Sequence, residues 1–156
     1  MVRRPELLHG FRVLDNAILG CGSVDAGTEQ LVATVASNAA GCRYYQAHTT
    51  KRAAQVERAY GFEDDPLFTE SERSALRLAR DAALVPNATT PDHFNSLREH
   101  FSEEQIVEIM GVISLFGFRN RWNDNAVTNL EEEPADFARE HLAQSGWDLG
   151  KHGGRS

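Results

Sequence analysis

The segment Phe101-Ser-Glu-Glu-Gln-Ile106 fixes more of the fold than any other part of the chain. Ser102 and Gln105 have the spacing of a capping box, and Phe101 and Ile106 that of a hydrophobic staple, so a helix starts here. It carries Ile106, Ile109, Met110, Ile113, Leu115, Phe116 and Phe118 and ends near Arg119-Asn-Arg-Trp-Asn-Asp124. A helix apolar nearly all round needs cover on every side. The chain has 156 residues, which fits one domain of ordinary size. In a chain this small, such a helix implies burial by another subunit.

The remaining patterns are also helical. Residues 5–19 place Leu7, Leu8, Phe11, Leu14, Ile18 and Leu19 on one stripe, with Pro5 suited to a first turn. After the turn at 20–27, a second helix to about Ala40 turns Leu31, Val32, Val35, Ala36 and Ala39 inward. Its Ala and Ser content lets a neighbour approach closely. Residues 40–42 break it, and a third helix runs from near Cys42 to about Tyr60. The capping box Thr69–Glu72 opens a fourth helix to about residue 84, and Thr90-Pro91 a short one to about His100. A final short helix follows Glu131, and the tail from Lys151 reads as loose. No strand pattern appears, so the fold class is all-α, a compact antiparallel bundle of about six to seven helices. The expected organisation is one domain over 1–156, with a core over about 5–130 and a C-terminal helix and tail over 131–156.

Charge and composition exclude several functions. A net charge of -7 argues against a nucleic-acid surface, which needs clustered Lys and Arg. The apolar run Ile109–Phe118 is too short to cross a membrane, which takes roughly 20 residues. The first residues lack the apolar stretch of a signal peptide. Two cysteines are too few for a disulfide scaffold, so the expected compartment is the cytoplasm.

Chemistry concentrates in Ser37–Thr50, SNAAGCRYYQAHTT. Cys42 falls where a small-residue break gives way to a new helix, whose free N–H groups and dipole favour a thiolate. His48 lies nearly two turns on. Tyr44 and Tyr45 sit four and three residues before it, within reach on a helix surface. The preceding helix, if antiparallel, brings Gln30 or Glu29 toward the same place. Against this stands the ordinary behaviour of a buried cysteine, an inert small hydrophobe. Other candidates are weaker. Arg119–Asp124 reads first as a helix end with capping Asn and Asp, and second as a pocket wall. His93 and His100 lack the carboxylates or cysteines that complete a metal site. Glu131-Glu-Glu-Pro134 reads as a solvated charge run.

The stretch EQLVATVASNAAGCRYYQAHTTKRA resembles the core motif of the AhpD-like alkylhydroperoxidase and carboxymuconolactone decarboxylase superfamily. That motif is a Glu, eleven residues, Cys-x-x-Cys, and a His shortly after. HFSEEQIVEIMGVISLFGFRNRWND resembles the family's long second-half helix, so the resemblance spans most of residues 25–130. It implies a peroxidase-related, antioxidant oxidoreductase with no cofactor and no metal, acting on a hydroperoxide. In that cycle a carboxylate–histidine relay activates the second thiol, the first closes a disulfide on it, and an external thiol reductant reopens it. It also implies a homo-oligomer, a dimer, trimer or hexamer.

The motif positions match unevenly. The family's first cysteine falls on Cys42 and its histidine on His48. Its second, peroxide-attacking cysteine falls on Tyr45, and its glutamate on Gln30, one step from Glu29. No disulfide forms between Cys42 and a tyrosine. Gln30 does not shuttle a proton as a carboxylate does, and Tyr45, with a reference pKa of about 10, is a poor base but a usable acid. The leading expectation is a one-cysteine peroxidase or thiol oxidoreductase at Cys42. Cys21 is a poor resolving partner because roughly 18 Å of helical rise separates the two. The alternatives are a non-redox acid–base enzyme on a small carbonyl, lactone or carboxylate compound, with His48 as base and Tyr45 as acid, and a non-catalytic binding or assembly protein.

Overall fold

The computed structural model describes residues 1–50, 56–59 and 61–154, apart from the side chains of Thr50, Val56, Glu57 and Gln144. Among the described residues, seven helices of eight residues or more, the short helix Val56–Ala59 and two 3-10 turns make up the regular structure. The helices are α1 (Pro5–Leu19), α2 (Ala26–Ala39), α3 (Arg43–Thr50), α4 (Val56–Ala59), α5 (Glu70–Ala82), α6 (Pro91–Arg98), α7 (Glu103–Ala126) and α8 (Glu132–Leu142). No strand occurs among the described residues, as the all-α reading expects. The expected continuation of the third helix through 51–55 and to Tyr60 lies outside the described residues.

The centre of the bundle is α2. Seven consecutive residues, Leu31–Ser37, are buried, because α3, α5 and α7 pack around it. Only a helix of Ala, Ser, Thr and Val tolerates neighbours that close on every side. The apolar α7 is covered on two sides by the same core, through Ile106, Ile109, Val112, Ile113, Leu115 and Phe116. Its third side packs on α1, where the Phe11 and Phe118 rings stack at 5.4 Å. Helix α1 itself buries no residue fully. Its Val13 and Leu14 are exposed, as are Val107, Met110 and Phe118 of α7.

Both expected capping boxes form. The Ser102 side chain accepts from the Gln105 N–H, while the Gln105 amide oxygen accepts from the Ser102 N–H at 3.0 Å. Thr69 and Glu72 do the same for α5. Each such cap is worth on the order of 1 kcal/mol. The start of α2 is tied to α7 differently. The Glu108 carboxylate accepts from the Ser23 and Val24 N–H groups at 2.9 and 3.1 Å. A Cβ at Gly22 would meet a Glu108 oxygen at 1.7 Å, so a larger residue there would push the Glu108 carboxylate out of its place. Glu29, one turn into α2, stands near the Glu108 carboxylate, and its Oε1 is buried without a hydrogen-bond partner among the described residues.

The C-terminus departs from the expectation of a loose tail. His152 is buried, bonds through Nδ1 to the Thr128 carbonyl at 2.7 Å, and its own carbonyl accepts from the Leu130 N–H at 2.9 Å. Trp147 donates from Nε1 to the Arg43 carbonyl at 3.2 Å. Together with Ala47, Ala138 and Leu142 it forms a second small core that clamps α8 onto α3. The C-terminal segment is therefore part of the packed structure through His152.

Two measurements check this packing. Ile109→Ala removes a fully buried side chain and is expected to cost about 2–5 kcal/mol in urea unfolding, whereas Val107→Ala, at an exposed position, costs less than about 0.5 kcal/mol. Burial first, then Glu108 and Asp25, raise the Glu29 carboxyl to about 7. A raised folded-state value means the stabilising protonated form is present below the ordinary carboxylate range and lost as pH rises toward 7. Glu29→Gln is therefore expected to remove a stability loss on the order of 1 kcal/mol between about pH 5 and pH 8, after allowance for its partial exposure, as read from unfolding curves at both values.

Candidate functional site

The break between α2 and α3 is a Schellman closure. The Gly41 N–H bonds to the Asn38 carbonyl at 2.9 Å and the Cys42 N–H to the Ser37 carbonyl at 3.1 Å, with Gly41 left-handed at φ 68°. The Cys42 carbonyl then accepts from the Gln46 N–H at 2.9 Å, so Cys42 is the cap of α3. Its side chain is turned inward against the end of α2 and is 2% exposed. Sγ lies 3.8 Å from the Asn120 carbonyl oxygen, which a thiol S–H can face as donor.

The helix-start effect expected at Cys42 is present but outweighed. Burial pushes the thiol up, and the Asp124 carboxylate adds to this. The Tyr45 and Tyr44 N–H groups and Lys151 pull it down without reversing the result. Cys42 is thus held as a thiol, whereas Cys21 is exposed.

The other three motif positions meet one turn further along α3. Gln30, Tyr45 and His48 line a cavity of about 230 Å³ together with Tyr44, Thr49, Phe116 and Arg119. Gln30 donates from Nε2 to the Thr49 carbonyl at 3.4 Å. Tyr45 packs edge-on against Phe116, with ring centres 5.4 Å apart. Arg119 stands over the rings of Phe116 and Tyr45 at 4.8 and 5.9 Å and is ion-paired with Asp15 of α1. Burial lowers its proton affinity, but a guanidinium remains charged. Cys42 lines a different and larger cavity of about 810 Å³, bounded by α5, the loop after it, and α7. The four motif residues therefore do not share one cavity: Cys42 is on one side of the α3 start, and Gln30, Tyr45 and His48 are on the other.

A carboxylate does reach the histidine, from an unexpected quarter. His48 Nε2 lies 2.9 Å from Glu131 Oε2, and the Tyr44 hydroxyl donates to the same carboxylate at 3.2 Å. Burial pushes Glu131 up, but its own N–H, His48 and Tyr44 prevail and hold it below the usual carboxylate range, hence ionised. Burial and then Glu131 raise Tyr44 well above the usual phenol value, so it stays a donor. Glu131 belongs to the run that reads as solvated charge in the sequence. Its position just ahead of α8, clamped onto α3, brings it 83 residues back to His48. Glu29, the other carboxylate considered, is engaged with Glu108 instead.

Of the weaker candidates, Arg119–Asp124 divides between the two cavities: Arg119 lines the smaller, and Asn120, Arg121 and Asp124 the larger. The helix ends two residues past them at Ala126, with the Asn123 carbonyl accepting the capping N–H of Val127, so they are the helix end and wall the two cavities as well. His93 bonds to Asp81 at 3.0 Å and to the Thr90 N–H, a local structural role. Among the described residues no group of three or more His, Cys, Asp or Glu could hold a metal ion, and no helix is long and apolar enough to cross a membrane.

The contrast between the two cysteines is measurable. Mass-spectrometric labelling with iodoacetamide at about pH 8 is expected to modify Cys21 at least about tenfold faster than Cys42 in the folded protein, the rates converging in denaturant.

Comparison with known proteins agrees with this architecture. No family model matches the chain. The uncharacterized protein YdfG of Bacillus subtilis (strain 168) is 28% identical over 109 residues, covering 65% of this chain and 72% of that one. The debrominase Bmp8, as a cysteine-to-alanine variant in complex with 2,3,4-tribromopyrrole, superposes with a TM-score of 0.83 at 28% identity, covering 92% of this chain and 79% of Bmp8. An AhpD-type antioxidant-defence protein of unknown function from Agrobacterium tumefaciens superposes at 0.76, with 23% identity, over 84% of this chain and 94% of its own. These neighbours share the chain's helical fold, which is that of AhpD-like and peroxidase-related structures.

Proposed function

We propose that the chain is a non-redox acid–base enzyme acting on a small carbonyl or carboxylate compound in the cavity of His48, Tyr45, Gln30 and Arg119. The observation that carries this reading is the His48–Glu131 contact at 2.9 Å. An ionised carboxylate holds the imidazole through Nε2, orients the ring and stabilises the imidazolium that forms when it takes a proton. Among the described residues the ring's Nδ1 has no hydrogen-bond partner. In the proposed step His48 removes a proton from the carbon beside the carbonyl. The C–H electron pair moves to the carbonyl oxygen, forming an enolate. The charge of Arg119 and the phenol of Tyr45 stabilise that oxygen, and return of the proton from His48 closes the step. Gln30 contributes an amide dipole at the cavity wall and no proton.

Two observations weigh against the one-cysteine peroxidase. Cys42 is kept protonated by burial, and a thiolate is the attacking form. It also lines the other cavity, away from His48. A ligand site for a small organic compound fits the likeness to Bmp8, a debrominase crystallised with 2,3,4-tribromopyrrole. A homo-oligomer belongs to the same proposal, since Val13, Leu14, Met110 and Phe118 offer exposed apolar surface for a second copy.

The test is deuterium exchange in D2O with 2-oxobutyrate and levulinate, followed by proton NMR. Wild type and Cys42→Ser are expected to exchange the protons beside the carbonyl at equal rates, and His48→Gln at least about 100-fold more slowly. Glu131→Gln is expected to fall between them. Failure of both compounds to exchange above the buffer rate, or thiol-dependent consumption of a hydroperoxide that Cys42→Ser abolishes, overturns the proposal.

A further inference from the structure

The larger cavity, which the proposed chemistry does not use, has the features of a binding site. Its walls are mixed: Leu78 and Ala82 of α5, Phe94 of α6 and Ile113 of α7 form the apolar part, and Asn87, Thr89, Arg121 and Asp124 add polar and charged groups. At about 810 Å³ it is in the range that holds drug-sized molecules. The bottom is polar. Asn120 is 3% exposed, and its Oδ1 accepts from the Ser37 hydroxyl at 3.1 Å. Its Nδ2 is buried without a hydrogen-bond partner among the described residues. An unsatisfied buried amide costs about 1–3 kcal/mol, a cost that a ligand acceptor or a water removes. Gly117, one turn back on α7, also lines the cavity, and a Cβ there would have nothing within 4 Å. Glycine inside a helix costs roughly 1 kcal/mol against alanine. Packing does not require it at this position, yet it leaves the space above Asn120 open.

We infer that this cavity binds an uncharged, largely apolar compound that places a hydrogen-bond acceptor against the Asn120 Nδ2–H at the buried end. The amide is neutral, so the recognised group is a carbonyl or similar neutral oxygen. The apolar part of the walls takes the rest of the molecule. The ligand body lies beside the protonated Cys42 thiol, which it shields. The residues that line it are all different from those that line the His48 cavity, so the two sites are separate.

Benzophenone and 1,1-diphenylethylene share a shape and differ only in an oxygen exchanged for a methylene group, which makes them the test pair. Titrations of the full chain are followed by two-dimensional 15N NMR. Benzophenone is expected to bind at least about tenfold more tightly than the hydrocarbon and to shift the Asn120 side-chain amide resonance. Gly117→Leu fills the open space and favours the helix, so it is expected to fold normally and to weaken benzophenone binding at least about tenfold. Asn120→Asp, which replaces the donor by an acceptor, is expected to erase the preference between the two probes. Absence of benzophenone binding, with the Asn120 amide bonded to water alone, overturns the inference. So does equal affinity for both probes in wild type, or binding unaffected by Gly117→Leu in a variant whose melting curve shows it folded.

Discussion

The closure of α2 at Gly41 is the constraint from which the site's layout follows. A helix buried over Leu31–Ser37 has no room to continue past the core, and its last carbonyls need donors. The Gly41 and Cys42 N–H groups supply them, which spends the Cys42 amide on α2 before α3 begins. Cys42 is then a cap rather than a member of the next helix. Its side chain turns toward the α2 end and the Asn120 carbonyl, while Tyr45, inside the first turn of α3, faces Phe116 and Arg119. Three residues of sequence thus separate two cavities.

At Cys42 two effects of known sign compete. Helix-start amides favour the thiolate, and burial favours the thiol. The first acts through the Tyr44 and Tyr45 N–H groups; the second acts through the whole surrounding core and prevails. On the other side of the turn the balance differs. Glu131 is half-exposed, so burial costs it less, and three donors keep it ionised. The residue with a stable charge next to a titratable ring is therefore His48's partner, and the sulfur is left outside that pair.

The sequence carries the fold well because each helix start has its own local signal. The capping boxes at Thr69 and Ser102 and the glycine break at 41 depend on neighbours within three or four residues, and each forms as its pattern indicates. It also places Gln30, Tyr45 and His48 together, since two lie one helical turn apart and the third comes from the adjoining antiparallel helix. What it does not carry is pairing at long separation. Nothing within reach of Glu131 marks it as other than surface charge, because its role depends on Trp147 and His152 folding the C-terminus back over α3. The burial of α2 on all sides was equally hidden, since small residues give a weaker periodic signal than the large apolar ones of α7.

The phenol at position 45 gains meaning from its surroundings. A thiol there would need a base to ionise it and a second thiol within bonding distance to complete a cycle. The nearest sulfur in sequence, Cys42, lines the opposite cavity, and the carboxylate position on α2 is Gln30. A tyrosine needs neither. Its proton is already a donor at neutral pH, it packs against Phe116, and Arg119 above its ring favours any negative charge that develops in the cavity. Gln30 and Tyr45 are thus mutually consistent: both present neutral groups that donate hydrogen bonds to the same cavity. Glu131 holds the His48 ring at 2.9 Å, so a carboxylate, an imidazole, a phenol and a guanidinium are gathered around one cavity while the sulfur stands outside it.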